Sequence, residues 1–137
     1  GGAASSFKFV KEFPDAANGI IDCNHWFNPK DPRSAALRRR VEAKGLFFTY
    51  EVFMTYTATM LLADAIERAK STDRAAIIDA LSKSTFADHI MPYGPTKFVN
   101  GQNQGAQPLM TQVVKGDIKV IVPRDYREVE PVFPLKA

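Results

Sequence analysis

Cys23 and His25 come nearest to reaction chemistry: a thiol and an imidazole two residues apart share one face of a strand, as two metal ligands or a nucleophile and its base. Sharing a face does not make a site. A structural zinc normally needs four ligands, and the only other histidine is His89. Asp15, Asp22 and Asp31 have no spacing that pairs an acid with a base, and a glycine-rich phosphate loop is absent. These residues read as an ordinary strand and its loops. No enzyme, metal or cofactor is expected.

The elements that would position any site are those of a folded chain. At 137 residues, with 45% hydrophobic and 24% charged content, the sequence suits one domain with its own core and argues against disorder. A net charge of +3 falls short of the clustered excess of a nucleic-acid binder. The lone Cys23 rules out an intrachain disulfide, so packing must supply the stability. The longest apolar run, around Thr59 to Ala65, is interrupted by Asp64 and is far short of the ~20 residues of a membrane span. There is no signal-type segment, and GGAASS lacks an initiator Met, so the start reads as a cut in a strand-to-helix turn.

Local patterns give the element order. A short helix with Phe9, Val10 and Phe13 on its apolar side is expected before the Asn18-Gly19 turn. A strand over Gly19 to Asn24 follows, buried at Ile20, Ile21 and Cys23. His25 to Pro32 is a loop. Ser34 is the expected N-cap of a helix ending near Lys44, with Gly45 as its stop and Leu37 and Val41 inward. The run Arg38-Arg39-Arg40 reads as solvated helix surface. Met54, Ala58, Leu61, Leu62, Ala65 and Ala69 line one face of a long helix at helical spacing, and Asp64 pairs with Arg68. Ser71-Thr72-Asp73 breaks that helix and caps a neighbouring one, roughly Arg74 to Lys83, with Ile77, Ile78 and Leu81 inward. Phe98 anchors a brief strand ending at the Asn100-Gly101 turn, and Leu109 to Val114 with Ile118 to Val122 flank a hairpin turn at Lys115-Gly116-Asp117. The tail should pack through Val132, Phe133 and Leu135.

The ordered series YTATMLLADAIERAKSTDRAAIIDAL, GPTKFVNGQNQG and MTQVVKGDIKVIVP, followed by a proline-rich EPVFPLKA tail, resembles the C-terminal part of the branched-chain amino acid type of periplasmic solute-binding protein. The resemblance is strongest over Tyr56 to Pro123 and weakest at GGAASS. The family's usual Tyr-Asp-Ala and Ala-Gly-Ser at the ends of the long helix are here Tyr56-Thr57-Ala58 and Ala69-Lys70-Ser71. It implies an α/β chain that forms a partial type I periplasmic-binding-protein fold, about the last third of a hinged, two-lobed receptor. Residues 1–24 would be the end of one lobe and a hinge strand. Residues 25–110 would be the helical and strand portion of the other lobe, and residues 111–137 the return strands and tail. The long helix would lie on strands contributed by a missing N-terminal portion of the receptor or by a second chain.

The implied function is the solute-binding component of an ABC importer. It would close on a small amino-acid-like, amide or aromatic solute in the periplasm and deliver it to a membrane permease, without nucleic acid or cofactor. A cytoplasmic ligand-sensing regulator of the same fold is the close alternative. A stand-alone α+β domain that self-associates is the alternative of a different class. Ligand contacts in the family come from loops at the lobe edges, which points to three places. The segment holding Gly2, Ala3 and Ser5 would receive a ligand carboxylate on backbone N–H groups and hydroxyls. Some amino-acid-binding relatives carry an acid near the slot that Gly2 fills. Glu51 would hold an ammonium or an amide N–H while Tyr50 and Phe53 wall an apolar or aromatic ligand, although the helix dipole alone favours Glu51 there and such aromatics also fill cores. His25-Trp26-Phe27, beyond the hinge strand, is the third place, for a ligand or interlobe contact, with Trp26 as its ligand-binding residue.

Overall fold

Asn18-Gly19 ends the opening segment of the computed structural model, which describes residues 3–133. A 3-10 turn over Ala3–Ser5 leads into α1 (Phe7–Glu12) and α2 (Pro14–Ala17). The buried side of α1 is Phe7 and Val10, whereas Phe13, expected inward, is 54% exposed. Pro14 explains the difference. It takes the first position of a new helix, so Phe13 becomes a non-helical junction at φ −133° and the helical phase is lost there.

Strand β1 (Ile21–Asn24) lies at the edge of a three-stranded antiparallel sheet in the order β1-β4-β5, with β4 over Leu109–Val114 and β5 over Asp117–Val122. An edge strand is covered incompletely, so Ile20 and Ile21 are half-buried and Cys23 is exposed, contrary to the expected burial. The β4–β5 turn places Lys115 and Gly116 at φ 50° and 78°. Positive φ at both central residues matches the twist of a tight hairpin. Asn100-Gly101 does the same for the small hairpin of β2 (Phe98–Val99) and β3 (Gln102–Asn103).

Helix α3 spans Pro32–Glu42. Its cap is Asp31, whose carboxylate accepts the Arg33 N–H at 2.9 Å, and not Ser34, which is buried in the first turn. Pro32 decides this, because proline is pre-shaped for the first helical position and hands the cap to the residue before it. The Arg33 side chain hydrogen-bonds the Asp31 carboxylate and holds its pKa below the usual range, keeping the cap anionic. Leu37 and Val41 pack against the core as expected.

The long helix α4 (Tyr50–Ala69) and α5 (Arg74–Ser82) are neighbours. Asp73 caps α5 by accepting the N–H groups of Ala75 and Ala76, both at 3.0 Å. Arg68 pairs with Asp64 at 2.9 Å and also donates to the Ala80 carbonyl at 2.8 Å, tying the two helices together. Of the six-residue α4 stripe, only Ala65 is buried; Met54 is 37% and Leu62 is 44% exposed. Ile78, expected inward on α5, is 54% exposed. The face of α4 expected to be buried is therefore largely open among the described residues.

Chain topology divides these elements. Residues 3–20 and 115–133 form a sheet part; residues 25–108, holding α3, α4, α5 and the small hairpin, form a helical part. The backbone passes between them along two strands only, β1 outward and β4 back, paired from Ile21↔Gln112 to Asn24↔Leu109. Gln112, fully buried, fixes the crossing. Its amide donates to the carbonyls of Gly19 and Val132, both at 3.2 Å, and accepts the Val132 N–H at 2.9 Å. The tail is thus held through its backbone, while the Val132 and Phe133 side chains are exposed. Leu135 lies outside the described residues.

Replacing Gln112 with Met keeps the volume and strands the buried partners of its amide. A loss of about 2 kcal/mol is expected, with faster amide exchange at Val132. Urea unfolding and hydrogen exchange read the two effects, and unchanged values in both would refute the clasp.

Candidate functional site

The N-terminus of α4 is built on a cluster of rings. Phe53, on its first turn and fully buried, meets Trp26 edge-on at 5.3 Å, Phe27 at 5.2 Å and Phe48 at 5.5 Å between centroids. Trp26 stacks on Phe27 at 5.1 Å. Phe7 reaches in from the sheet part to 5.9 Å from Trp26 and 6.3 Å from Phe48. Tilted and edge-on pairs at these separations add about 0.5–1.5 kcal/mol each beyond the area they bury. The cluster is therefore a firm floor at the junction of the two parts.

Above that floor a bridge between Ser6 and Thr49 joins the end of the Ala3–Ser5 turn to the residue that opens α4. Two of the three expected places thus come edge to edge, one from each part, and the third supports them. Ala3 is exposed. Ser5 is fully buried and its hydroxyl donates to Asp22 Oδ2 at 2.5 Å, so this hydroxyl serves to hold the turn on β1. Tyr50 is half-buried, Glu51 is exposed, and Trp26 and Phe53 lie within the ring cluster. Gly2 lies outside the described residues.

The electrostatics favour a fixed anion at this edge. A hydrogen bond from the Thr49 hydroxyl, and then one from its own backbone N–H, hold the Glu51 carboxyl below the ordinary glutamate range. The neighbouring carboxylate in turn raises the Tyr50 phenol. Thr49 makes no side-chain cap to the α4 backbone, so the first turn keeps N–H groups and a partial positive charge beside the Glu51 carboxylate. An ammonium and a carboxylate on one small molecule would both find a counterpart here. His25 is separate from this edge. It lines a groove of about 230 Å³ with Met54, Thr57, Leu61 and Tyr93, on another side of α4. Among the described residues no group of three or more His, Cys, Asp or Glu is placed to hold a metal.

A larger groove, about 470 Å³, runs between the two parts, with Phe7, Val10 and Lys11 on one wall and Arg38, Leu46 and Phe47 on the other. Arg38 is the residue sequence reasoning missed. Arg39 and Arg40 are exposed as a charge run should be, but Arg38 lies 3.9 Å over the centre of the Phe7 ring and pairs with Glu42 at 2.9 Å and with Asp117 at 3.6 Å. Thr49 was also missed. Its only local signal is a threonine just before a helix.

Comparison with known proteins fits this geometry. The chain is similar in structure to a leucine binding protein from Thermotoga maritima, at 20% identity and a TM-score of 0.61, over 83% of this chain and 33% of that one. It is similar to an extracellular ligand-binding receptor from Rhodopseudomonas palustris, at 18% identity and a TM-score of 0.63, over 85% and 38%. A candidate branched-chain amino acid ABC transporter protein from Silicibacter pomeroyi matches at 18% identity and a TM-score of 0.70, over 93% and 38%. The chain thus spans about a third of the length of these structures, and its mixed helices and strands match fragments of the type I periplasmic binding protein fold. No curated protein sequence matches the chain. The sequence pattern of one family covers residues 9–118, most of the chain, and by that match the chain belongs to the periplasmic binding protein family.

Proposed function

We propose that this chain is part of a periplasmic solute receptor that takes a small amino-acid-like, amide or aromatic solute between its two parts and delivers it to the membrane permease of an ABC importer. The observation that carries the reading is the Ser6–Thr49 bridge. It sets the Ala3–Ser5 turn of one part, exposed at Ala3 and buried at Ala4 and Ser5, against the α4 N-terminus of the other, next to the aromatic cluster. In the reading, Glu51 receives the solute ammonium and the backbone of the Ala3–Ser5 turn receives the carboxylate. Ligand-driven closure then works by differential affinity: a solute that touches both parts stabilises the apposed arrangement over a separated one.

The open face of α4 belongs to the same proposal. Met54, Ala58 and Leu62 are exposed on a helix in a chain that spans about a third of the structures it resembles. Strands from the rest of a two-lobed receptor cover that face. Helices earn most of their stability from packing of this kind, which a cytoplasmic sensor of the same fold would share. A self-associating domain would instead bury the face in a dimer.

Calorimetric titration of the full-length protein with L-leucine, L-phenylalanine and butyramide tests the reading, and it is lost if none of them binds. Glu51→Gln is expected to weaken L-leucine or L-phenylalanine by about tenfold or more, the worth of a charge-assisted hydrogen bond, and to leave butyramide nearly unchanged. Equal effects on both would reject the ammonium contact. The pH dependence has a definite sign. Because the folded-state pKa of Glu51 is lowered, its charge and the binding that depends on it persist from pH 7 to pH 5. Both are lost only as pH falls below the ordinary glutamate range. Loss of ammonium-dependent affinity already between pH 7 and pH 5 would contradict the assignment.

A further inference from the structure

The two parts meet through more than their crossing strands, and Arg38 stands at the centre of that contact. It projects from α3 in the helical part, and beyond its own helix its ring and ion-pair partners, Phe7 and Asp117, both belong to the sheet part. Its guanidinium lies 3.9 Å over the Phe7 ring centre, and Nη1 is 3.6 Å from Asp117 Oδ1 in β5. Glu42, one turn along α3, pairs with Nε at 2.9 Å and holds the guanidinium in that pose. Phe7 is therefore enclosed, with Trp26 and Phe48 on its other sides. Any separation of the parts about β1 and β4 must draw Phe7 out from between Arg38 and the ring cluster. Other ties between the parts are the Ser6–Thr49 bridge, a hydrogen bond from Lys30 Nζ to the Asp125 carbonyl, Lys11 Nζ at 5.7 Å from the Phe47 ring centre, and the shared apolar core.

We infer that Arg38, stacked on Phe7 and paired with Asp117, is a latch that sets the balance between the apposed and separated arrangements and so tunes solute affinity without touching the solute. The inference rests on the receptor reading for its consequence, but its mechanical content stands on the contact itself. A cation on an aromatic face is worth about 0.5–2 kcal/mol depending on burial. At a half-buried position that corresponds to about tenfold in the ratio of apposed to separated molecules, and affinity falls by the same factor where the apposed form becomes the minority. Lysine keeps the charge for Glu42 and Asp117 but lacks the planar fork that stacks on a ring. Arg38→Lys should therefore lie between the parent and Arg38→Ala.

The test is a spin-label distance measurement in the full-length protein. Labels go on the exposed positions Asp15 of α2 and Glu67 of α4, as Asp15→Cys and Glu67→Cys in a Cys23→Ser background. Arg38→Ala should move the distance distribution toward longer values and shift the apposed-to-separated ratio by about tenfold, with Arg38→Lys intermediate. A distribution for Arg38→Ala that matches the parent overturns the latch. So does a lowered melting temperature with the distance unchanged, which would make Arg38 merely structural. The receptor reading fails separately, if the parent binds none of L-leucine, L-phenylalanine and butyramide while the distances still respond to Arg38→Ala.

Discussion

The placement of Phe7 constrains everything else. It is the one ring of the cluster that comes from the sheet part, and it fills the space left by Trp26, Phe48 and Arg38 of the helical part. Val10, Ala17, Ile118 and Val120 of the sheet part share the same buried core with the helical part, and Phe7 is the sheet-part ring that reaches furthest into its aromatic cluster. With it, the α4 N-terminus and the Ala3–Ser5 turn are held at a fixed separation, which the Ser6–Thr49 bridge then defines. Interiors are packed too tightly to deform by degrees. A ring seated this way is either in or out, which is the physical basis of the proposed two-state latch.

The crossing strands supply the complementary stiffness. β1 is a short edge strand, and paired strands of this length would be marginal alone. Gln112 compensates by mimicking a backbone on three counts, joining the end of the first segment at Gly19 to the tail at Val132 across β4. The tail becomes in effect a further support for the crossing. Motion between the parts is therefore directed to the ends of the strand pair, near Asn24 and Leu109, and spared the ladder between them.

Much of this was legible in the sequence wherever local chemistry decided the outcome. Asn100-Gly101 and the glycine of Lys115-Gly116 suit tight hairpins, and Ser71-Thr72-Asp73 marks the break and cap before α5; the structure follows all three, with Asp73 making the cap. The family resemblance was legible as well, whereas helical spacing marked Met54, Leu62 and Ile78 as inward and they are exposed. The errors arose where two rules met. Pro14 and Pro32 each reset a helix boundary, moving Phe13 outward and giving the cap to Asp31 over Ser34. Cys23 depended on sheet order, which no local pattern encodes. The Ser6–Thr49 bridge and the seat of Arg38 join segments far apart in the chain, and a run of three arginines looks the same whether or not one of them lies on a ring.

Helix α4 combines two regimes that bear differently on the site. Its first turn is rooted by Phe53 in the ring cluster, so the position of Glu51 is set within this chain. Beyond Ala58 the helix has α5 on one side and an open apolar face on another, so the stability of its far end depends on whatever covers that face. Fraying from the far end would not reach Glu51 before it met Ala65 and the Arg68 tie to α5. The arrangement separates the two demands on the helix. Cover along its length governs how stable the protein is, while the aromatic root governs where the charge at its tip is held.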